Sequence, residues 1–465
     1  MTRLVIIGGG PAGYEAALVA AQLGARTTLV EQDGPGGACV LTDCVPSKTF
    51  IAVSDVMNVL SRLEVLGVRA RPATGLHADA PAVHGRVVDL ASAQSADIES
   101  RLLTAGVRVV RGTGRFAGPR EPDASYRISV RTGAEEEETL AADVVLVATG
   151  ASPRVLDAAR PDGRRILTWR DLYQLDALPE RLVVVGSGVT GAEFASAYCA
   201  MGVDTVLVSS RDHVLPGEDP DAAAVLEAVL SERGMEIVPR ARAQAVAEAG
   251  DGVRVILEDG RTVTGSHALM TIGSVPNSAG LGLEHVGVEP AGGGFLAVDR
   301  VSRTGAPNVY AAGDVTGVMM LASVAAMQGR IAVWHALGEA VAPLNLATVS
   351  SNVFTNPEIS TVGVTQRQVD AGEIAARTVT LPLETNARAK MMGLGFGFVK
   401  LFCRPSSGIV IGGVVVAPRA SELILPVTMA VQNSLTVDQF AQTFAIYPSL
   451  SGSMTEAARL LMRGS

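Results

Sequence analysis

A short apolar run that leads straight into a glycine-rich turn constrains the fold of this chain more than any other feature. Residues 4–7 are Leu, Val and Ile, and they run into Gly8-Gly9-Gly10-Pro11-Ala12-Gly13 before a helical pattern over residues 14–23. This G-x-G-x-x-G spacing permits a tight turn and directs backbone N–H groups and a helix N-terminus towards an anion. Glu31 ends the next predicted strand, where a carboxylate suits a ribose hydroxyl. The first glycine turn, residues 8–13, therefore predicts a βαβ unit that binds a dinucleotide.

The pattern occurs a second time in the middle of the chain. Residues 182–185 form an apolar run before Gly186-Ser187-Gly188-Val189-Thr190-Gly191, and a helix and a strand are predicted to follow. Behind each turn lies a strand-rich segment that closes with G-x-x-P, at residues 140–153 and 263–276. This second glycine turn, residues 186–191, indicates an internal duplication. The predicted fold class is therefore α/β with two Rossmann-like dinucleotide-binding domains.

The two turns differ at the position of the acid. Ser209 stands as far beyond Gly186 as Glu31 stands beyond Gly8, and Arg211 follows closely. A carboxylate there favours the free 2′-hydroxyl of NAD, whereas its loss beside a cation admits the 2′-phosphate of NADP. We expect NADPH at the second turn, with NADH tolerated. The alternative that Arg211 only faces solvent stays open.

Two of the four cysteines stand close together between a diglycine and a Pro-Ser-Lys sequence. Gly36 and Gly37 precede Cys39, and Cys44 precedes Lys48. A local turn can bring two such cysteines within disulfide reach, and glycines let the backbone pass close to a ligand. We interpret Cys39 and Cys44 as a redox pair, although two buried or spare thiols would give the same pattern.

Length and composition exclude several classes. A chain of 465 residues predicts two to four domains. The net charge of −9, with no Lys/Arg-rich run, argues against a nucleic-acid partner. No apolar run is long enough to span a membrane, and the first strand begins too close to Met1 for a cleavable signal, so a cytoplasmic location is expected. We predict no metal ligands, and an acidic run at residues 135–138 is expected to form a hairpin turn.

Two dinucleotide turns and a dithiol together make the chain resemble, over its whole length, the FAD-dependent pyridine nucleotide-disulfide oxidoreductases, which include lipoamide dehydrogenase. The resemblance rests also on residues 148–150, 309–314 and 353–363. It implies FAD and NAD(P)H as cofactors, a homodimer and a C-terminal α+β dimerisation domain. The implied division is an FAD-binding domain at residues 1–150 and 276–346, an NAD(P)-binding domain at 151–275 and the dimerisation domain at 347–465.

By the same resemblance Lys48 pairs with Glu193 beside the flavin, and Asp314 holds the ribityl chain. The candidate catalytic residues are Cys39, Cys44, Lys48, Glu193 and Tyr447. The candidate cofactor-binding residues are Gly8, Gly10, Gly13, Glu31, Gly36, Gly37, Lys48, Gly114, Ala148, Thr149, Gly150, Gly186, Gly188, Gly191, Glu193, Ser209, Arg211, Gly273, Gly313, Asp314 and Ala322.

The resemblance breaks near the C-terminus. Disulfide reductases of this family carry His-Pro-Thr-x-x-Glu, whose histidine is the base for the substrate-facing thiol, but this chain has Tyr447-Pro448-Ser449-Leu450-Ser451-Gly452. The last of its six histidines is His335, and a phenol holds its proton at neutral pH. Losing a positioned acid/base costs about 10²- to 10⁴-fold in rate, so we expect little disulfide exchange.

The pattern is most similar to the quinone reductase branch of the family. We therefore predict electron transfer from NAD(P)H through FAD to a quinone or another small acceptor. Both cysteines remain, either to store electrons or as relics, while Cys199 and Cys403 are predicted to be structural. Three alternatives stay open: a lipoamide dehydrogenase-like disulfide reductase with an unrecognised base, a soluble transhydrogenase, and a flavin-based redox sensor.

Overall fold

A computed structural model describes residues 1–68, 77–133 and 136–462. The strands are β1 (Arg3–Ile7), β2 (Arg26–Glu31), β3 (Arg108–Arg111), β4 (Thr113–Phe116), β5 (Tyr126–Arg131), β6 (Glu137–Ala142), β7 (Val144–Val147), β8 (Ala151–Pro153), β9 (Ile166–Leu167), β10 (Arg181–Val185), β11 (Asp204–Val208), β12 (Glu236–Val238), β13 (Ala243–Ala249), β14 (Gly252–Leu257), β15 (Thr262–Gly265), β16 (His267–Met270), β17 (Ser274–Pro276), β18 (Val309–Ala311), β19 (Ser350–Val353), β20 (Glu358–Gly363), β21 (Arg377–Pro382), β22 (Phe398–Cys403) and β23 (Val410–Ala417).

The α-helices are α1 (Pro11–Gln22), α2 (Gly37–Leu41), α3 (Cys44–Leu60), α4 (Ala80–Thr104), α5 (Val189–Ala200), α6 (Pro220–Glu232), α7 (Ala322–Ala336), α8 (Gln366–Asp370), α9 (Ala387–Met391), α10 (Ala420–Leu423), α11 (Leu425–Gln432), α12 (Val437–Ala441) and α13 (Gly452–Met462). None of these helices is both long and apolar enough to cross a membrane.

The chain divides into two units. The first contains Met1–Thr49, His84–Arg154 and Gly273–Asn345, and the second contains Phe50–Val83, Val155–Ile272 and Leu346–Ser465. This division separates the two glycine turns. The four-part domain boundaries inferred from the sequence stay a prediction.

The first unit is built on a parallel sheet of order β18-β7-β1-β2-β3. Its central strand β1 is buried along residues 4–7 because both faces of the sheet are covered. Helices α1 and α7 pack together on one face, and the antiparallel sheet β4-β5-β6 contributes Phe116, Tyr126 and Ile128 to the core on the other. Strand order reverses at β1, which places the first glycine turn at the crevice where such sheets bind ligands.

The second unit repeats this plan. Its parallel sheet has the order β9-β16-β10-β11-β12, and a three-stranded antiparallel sheet, β13-β14-β15, covers it. The same order in both units confirms the two Rossmann-like domains, and the repeated G-x-x-P segments end in β8 and β17, which pair with each other. The acidic run at residues 135–138 lies at the end of the β5–β6 hairpin, as expected, with Glu136 in the connection and Glu137 and Glu138 at the start of β6; residue 135 lies outside the described residues.

The C-terminal part of the second unit has an α+β architecture of two layers, one a sheet and the other a group of helices. Its antiparallel sheet has the order β19-β20-β23-β22-β21, and α11, α12 and α13 pack on one face around Val427, Phe440 and Met454. Because β22 and β23 are buried almost throughout, this sheet forms a core of its own.

One buried cation joins this sheet to the nucleotide-binding sheet of the second unit. Lys400, in β22, is 1% exposed, and its Nζ lies 2.9 and 2.8 Å from the two carboxylate oxygens of Asp219 and 2.7 Å from Asp221. The Asp219 carboxylate also accepts hydrogen bonds from the backbone N–H groups of Asp221 and Ala222 at the start of α6. A buried charge needs such partners, so the network fixes α6 against β22.

Candidate functional site

The first glycine turn has room for a ligand at one glycine and none at two others. A Cβ on Gly8, whose φ is +104°, would lie 2.3 Å from the Ala148 carbonyl oxygen, and one on Gly13 would lie 1.9 Å from the Gly8 oxygen. A Cβ on Gly10 would meet no protein atom within 4 Å. Gly8 and Gly13 therefore serve the packing of strand against helix, while Gly10 leaves the N-terminus of α1 open to an anion.

Glu31 holds the first turn in shape. The side chain is 6% exposed, and its carboxylate accepts hydrogen bonds from Gly9 N at 2.5 Å, Asp33 N at 2.8 Å and Gly34 N at 3.2 Å. The predicted ribose contact stays a prediction. The structure adds a role in which the Glu31 carboxylate joins one backbone donor of the turn to two donors just after β2.

The diglycine before the cysteines packs on the first turn. Gly36 N donates a hydrogen bond to Gly9 O at 2.7 Å, and a Cβ on Gly37 would lie 2.9 Å from Gly10 Cα. The sequence predicted a close approach to a ligand, but these contacts are between two backbone segments. They seat the dithiol segment directly on the first glycine turn.

The two thiols of this segment interact with each other. Cys39 lies in α2 and Cys44 is the first residue of α3, where the helix dipole favours a thiolate. Their mutual hydrogen bond lowers the pKa of Cys39 and, together with burial, raises the pKa of Cys44. The positive charge of Lys48, one turn along α3, has a smaller effect and lowers the pKa of both thiols. The pair thus gives up one proton readily and retains the other.

The carboxylate of Asp314 accepts no hydrogen bond from the part of the chain that the structure describes. It follows Gly313, whose N–H donates to Gln328 Oε1 at 2.9 Å and whose φ is +82°. Burial, and then the nearby charge of Asp43, raise the pKa of Asp314 to about 6. No hydrogen bond from any described residue reaches this carboxylate, so it suits a ligand that carries hydroxyl groups.

The remaining candidates of the first unit lie around this crevice or at its rim. Ala148 and Thr149 follow β7, and Thr149 Oγ1 donates to Asn277 O at 2.7 Å. Gly114, in β4, lies against the side chains of Ile7 and Val30, while Ala322 begins α7. Gly150 and Gly273 adopt positive φ angles of +69° and +98°. The open Gly10, the glycine packing and the unpartnered Asp314 carboxylate together fit an FAD molecule.

The second glycine turn has the same backbone design. A Cβ on Gly186 would lie 2.4 Å from the Thr271 carbonyl oxygen, and one on Gly191 would lie 1.9 Å from the Gly186 oxygen. A Cβ on Gly188 would meet nothing within 4 Å. The N-terminus of α5 is therefore as open to a pyrophosphate as that of α1.

Ser209 replaces the carboxylate of the first turn by a neutral hydrogen-bond network. It is fully buried, and its Oγ lies 2.7 Å from Ser187 Oγ and accepts from Arg211 N at 3.1 Å. The Arg211 side chain is exposed and makes no ion pair within the described residues. The turn is thus closed without a negative charge, and a cation remains at its edge.

Two further candidate residues lie in the second unit. Glu193 is 3% exposed in α5 and accepts a hydrogen bond from Phe354 N at 2.9 Å. Lys48 lies in the first unit and Glu193 in the second. Their predicted pairing stays a prediction. Tyr447 is 85% exposed, beside the exposed Phe444 and Ile446, and its role also stays a prediction.

Sequence reasoning missed several residues that shape the site. Gln328 is 1% exposed and holds the N–H of Gly313, the backbone of Phe354 orients Glu193, and Asp43 acts on both thiols. The first two contacts join distant parts of the chain. Asp43 was visible as a carboxylate between the cysteines, and its charge could have been noted.

Comparison with known proteins agrees with this geometry. Residues 2–329 match the pyridine nucleotide-disulphide oxidoreductase family, and residues 349–458 match its dimerisation domain. A Mycobacterium tuberculosis protein named NAD(P)H dehydrogenase (quinone) is 59% identical over 99% of this chain and 94% of its own length. Dihydrolipoyl dehydrogenase 2 of Haloarcula marismortui is 33% identical over 98% and 96%. The crystal structure of LpdA from Mycobacterium tuberculosis superposes with a TM-score of 0.95, at 59% identity, over 99% of this chain and all of that one.

These matches cover both glycine turns, the dithiol segment and the C-terminal sheet. They confirm the resemblance inferred from the motifs, and with it an oxidoreductase that uses FAD and NAD(P)H. The chain belongs to the pyridine nucleotide-disulphide oxidoreductase family.

Proposed function

We propose that this protein transfers electrons from NAD(P)H to a quinone. One observation carries the proposal: the sequence has Tyr447 where the family's histidine base would be, and its last histidine is His335. Disulfide exchange needs an acid/base at the substrate-facing thiol. The name of the Mycobacterium tuberculosis relative supports the same acceptor.

The residues of the chain divide the work as follows. Gly10 and Gly188 leave two helix N-termini open for pyrophosphates, and the Asp314 carboxylate accepts from ligand hydroxyls. Bound FAD supplies the two-electron chemistry between a nicotinamide and an acceptor. The neutral Ser209 network and the free Arg211 cation support NADPH as the preferred donor, with NADH tolerated.

Steady-state turnover tests the acceptor. With NADPH as donor, we expect turnover with menadione to exceed turnover with lipoamide or glutathione disulfide by at least about 10²-fold, the lower bound for a missing acid/base. The double variant Cys39→Ser/Cys44→Ser is the matched control, and it retains menadione turnover. Faster turnover with a disulfide than with menadione would instead identify a disulfide reductase.

The same assays address the alternatives. A transhydrogenase would reduce an oxidised nicotinamide analogue faster than menadione, and a redox sensor would turn over slowly with every acceptor.

We also propose a cytoplasmic homodimer. The dimerisation domain at residues 349–458 supports the homodimer, as do the exposed Phe444, Ile446 and Met429, because apolar surfaces of this kind mark interfaces. Sedimentation equilibrium of the FAD-loaded protein measures the assembly, and a monomer at micromolar concentration would contradict it.

A further inference from the structure

Asp314 follows a flexible residue whose backbone is held by two neighbouring side chains. Gly313 has a φ of +82°, in a region of backbone conformation that glycine adopts more readily than other residues. Its N–H group donates to Gln328 Oε1 at 2.9 Å, and its carbonyl oxygen accepts from Thr316 Oγ1 at 2.7 Å. The peptide groups on both sides of Gly313 are therefore fixed, and with them the backbone from which the Asp314 side chain extends.

Gln328 is itself held inside the protein. It is 1% exposed, and its side-chain Nε2 lies 3.5 Å from Thr316 Oγ1. Its backbone carbonyl oxygen accepts a hydrogen bond from Ser302 Oγ at 3.3 Å. Because a buried polar network whose members are hydrogen-bonded favours a single arrangement, Gln328 gives Gly313 a rigid point of attachment on α7.

The next residue of α7, Gly329, fixes this point of attachment against the first glycine turn. A Cβ on Gly329 would lie 2.1 Å from the Ala12 carbonyl oxygen, so the backbones of α7 and α1 approach each other as only glycine permits. Ala12 belongs to the first glycine turn, residues 8–13, in which Gly10 faces open space. The position of Gln328 is therefore set relative to the turn that leaves a helix N-terminus open to an anion.

We propose that Gln328 is a positioning residue for FAD, which holds the Asp314 carboxylate in a fixed place relative to the first glycine turn. A ligand that contacts both the open helix N-terminus and this carboxylate binds more tightly when the two are already in position, because less conformational freedom is lost on binding. The inference rests on the role proposed above for Asp314 and deepens it, and it does not depend on the identity of the electron acceptor.

The affinity for FAD gives the first test. Gln328→Met keeps the length of the side chain and removes its amide, which leaves the Gly313 N–H group without its partner. We expect the Kd for FAD, measured from the flavin that serial dilution of the loaded protein releases, to rise about 10- to 100-fold. Gln94→Met makes the same change at an exposed position of α4 and leaves the Kd unchanged. An unchanged Kd in Q328M, or an equal rise in Q94M, overturns the proposal.

A double-mutant cycle gives the second test and distinguishes positioning from a general loosening of the fold. If Gln328 acts through Asp314, its loss has little further effect once the carboxylate is gone. We expect Asp314→Ala to raise the Kd for FAD about 10- to 100-fold, and Gln328→Met in that background to raise it further by less than about twofold. Additive effects of the two substitutions overturn the proposal, because they would show that Gln328 affects FAD by a route that does not include Asp314.

The role of Asp314 and that of Gln328 can fail separately. An unchanged Kd in Asp314→Ala would remove the role proposed for Asp314, and with it this inference. A raised Kd in Asp314→Ala together with an unchanged Kd in Gln328→Met would overturn the inference alone. Gln328→Leu also removes the amide, and it is measured in the same cycle should Gln328→Met fail to fold.

Discussion

The two glycine turns of this protein share a backbone and differ in charge. In both, the first and third glycines are packed against a carbonyl oxygen and the middle glycine faces open space. The first turn is closed by the Glu31 carboxylate through the bare backbone of Gly9, whereas the second is closed by the Ser209 hydroxyl through the hydroxyl of Ser187.

This difference shows that two positions vary together. A Cβ on Gly9 would lie 2.9 Å from Glu31 Oε2, so glycine in the turn leaves room for a carboxylate after the strand in its observed position. The second turn has a side chain in the turn and a short hydroxyl after the strand. The backbone of the turn is thus the same with a carboxylate or with a hydroxyl after the strand. The charge near a bound ribose differs between the two.

The glycines common to both turns give the largest expected effect. Gly13→Ala places a methyl group 1.9 Å from a backbone oxygen, and we expect a loss of more than about 3 kcal/mol of unfolding free energy, because strand and helix must separate. Thermal unfolding measures it. Gly10→Ala is the matched control, with unchanged stability of the FAD-free protein but weaker FAD binding; equal melting temperatures for the two variants would contradict the packing argument.

Lys400 provides the next effect, because its ion pair with Asp219 holds the start of α6 in the second unit. Lys400→Met leaves the Asp219 carboxylate buried without its cation, which costs about 3–5 kcal/mol. Urea unfolding measures the loss. The exposed Lys390→Met is the control and changes stability by less than about 0.5 kcal/mol; a similar midpoint for both variants would show that the network contributes nothing.

Exchanging the closures tests the charge directly. Ser187→Gly combined with Ser209→Glu copies the first turn into the second, and we expect the ratio of kcat/KM for NADPH to that for NADH to fall about 10- to 100-fold, because a carboxylate repels the 2′-phosphate and binds the 2′-hydroxyl. Ser209→Glu alone is expected to lose both donors, since Ser187 occupies the required space. Unchanged preference in the double variant would assign specificity elsewhere.

Arg211 supplies a positive charge after Ser209, whereas the first turn has the Glu31 carboxylate at the matching position. Arg211→Ala should raise KM for NADPH about 5- to 20-fold and leave KM for NADH unchanged, because only NADPH carries the 2′-phosphate. The KM values are measured with menadione as acceptor. An equal effect on both donors would mean that Arg211 acts on the turn and not on the phosphate.

Asp314 has no charged counterpart in the second unit, since the matching edge strand β9 leads into the neutral Thr168. Its pKa is raised from 3.8 to about 6, so the folded, FAD-free protein holds this proton more tightly than the unfolded chain. Stability from this group is complete below about pH 4 and is lost as the pH rises through 6, about 1–3 kcal/mol in all. Asp314→Asn should flatten that part of the stability profile measured by urea unfolding; a slope equal to wild type would contradict the shift.

The sequence predicted what depends on local patterns. Both glycine turns and the helices that follow them came from spacing alone, because a strand, a tight turn and a helix are neighbours along the chain. The dithiol segment was found for the same reason. The replacement of the family's histidine by Tyr447 was also visible, because it lies within one short motif; the loss of the base stays a prediction.

Contacts between distant segments were beyond such reasoning. Nothing in the sequence shows that Gln328 holds Gly313, that Lys400 meets Asp219, or that the backbone of Phe354 fixes Glu193. The predicted approach of the diglycine to a ligand stays a prediction, and the structure adds close contacts with the backbone of Gly9 and Gly10. These contacts follow from tertiary packing, which no local pattern encodes.

The contact of Gly37 with Gly10 gives the segment that carries the two cysteines a packing role in addition to any redox role. Since the segment that carries the cysteines also braces the nucleotide turn, its glycines are retained for architecture whether or not the thiols react. A loss of the redox role would therefore leave the packing of the first glycine turn unchanged. The diglycine has a structural role that does not depend on the reactivity of Cys39 and Cys44.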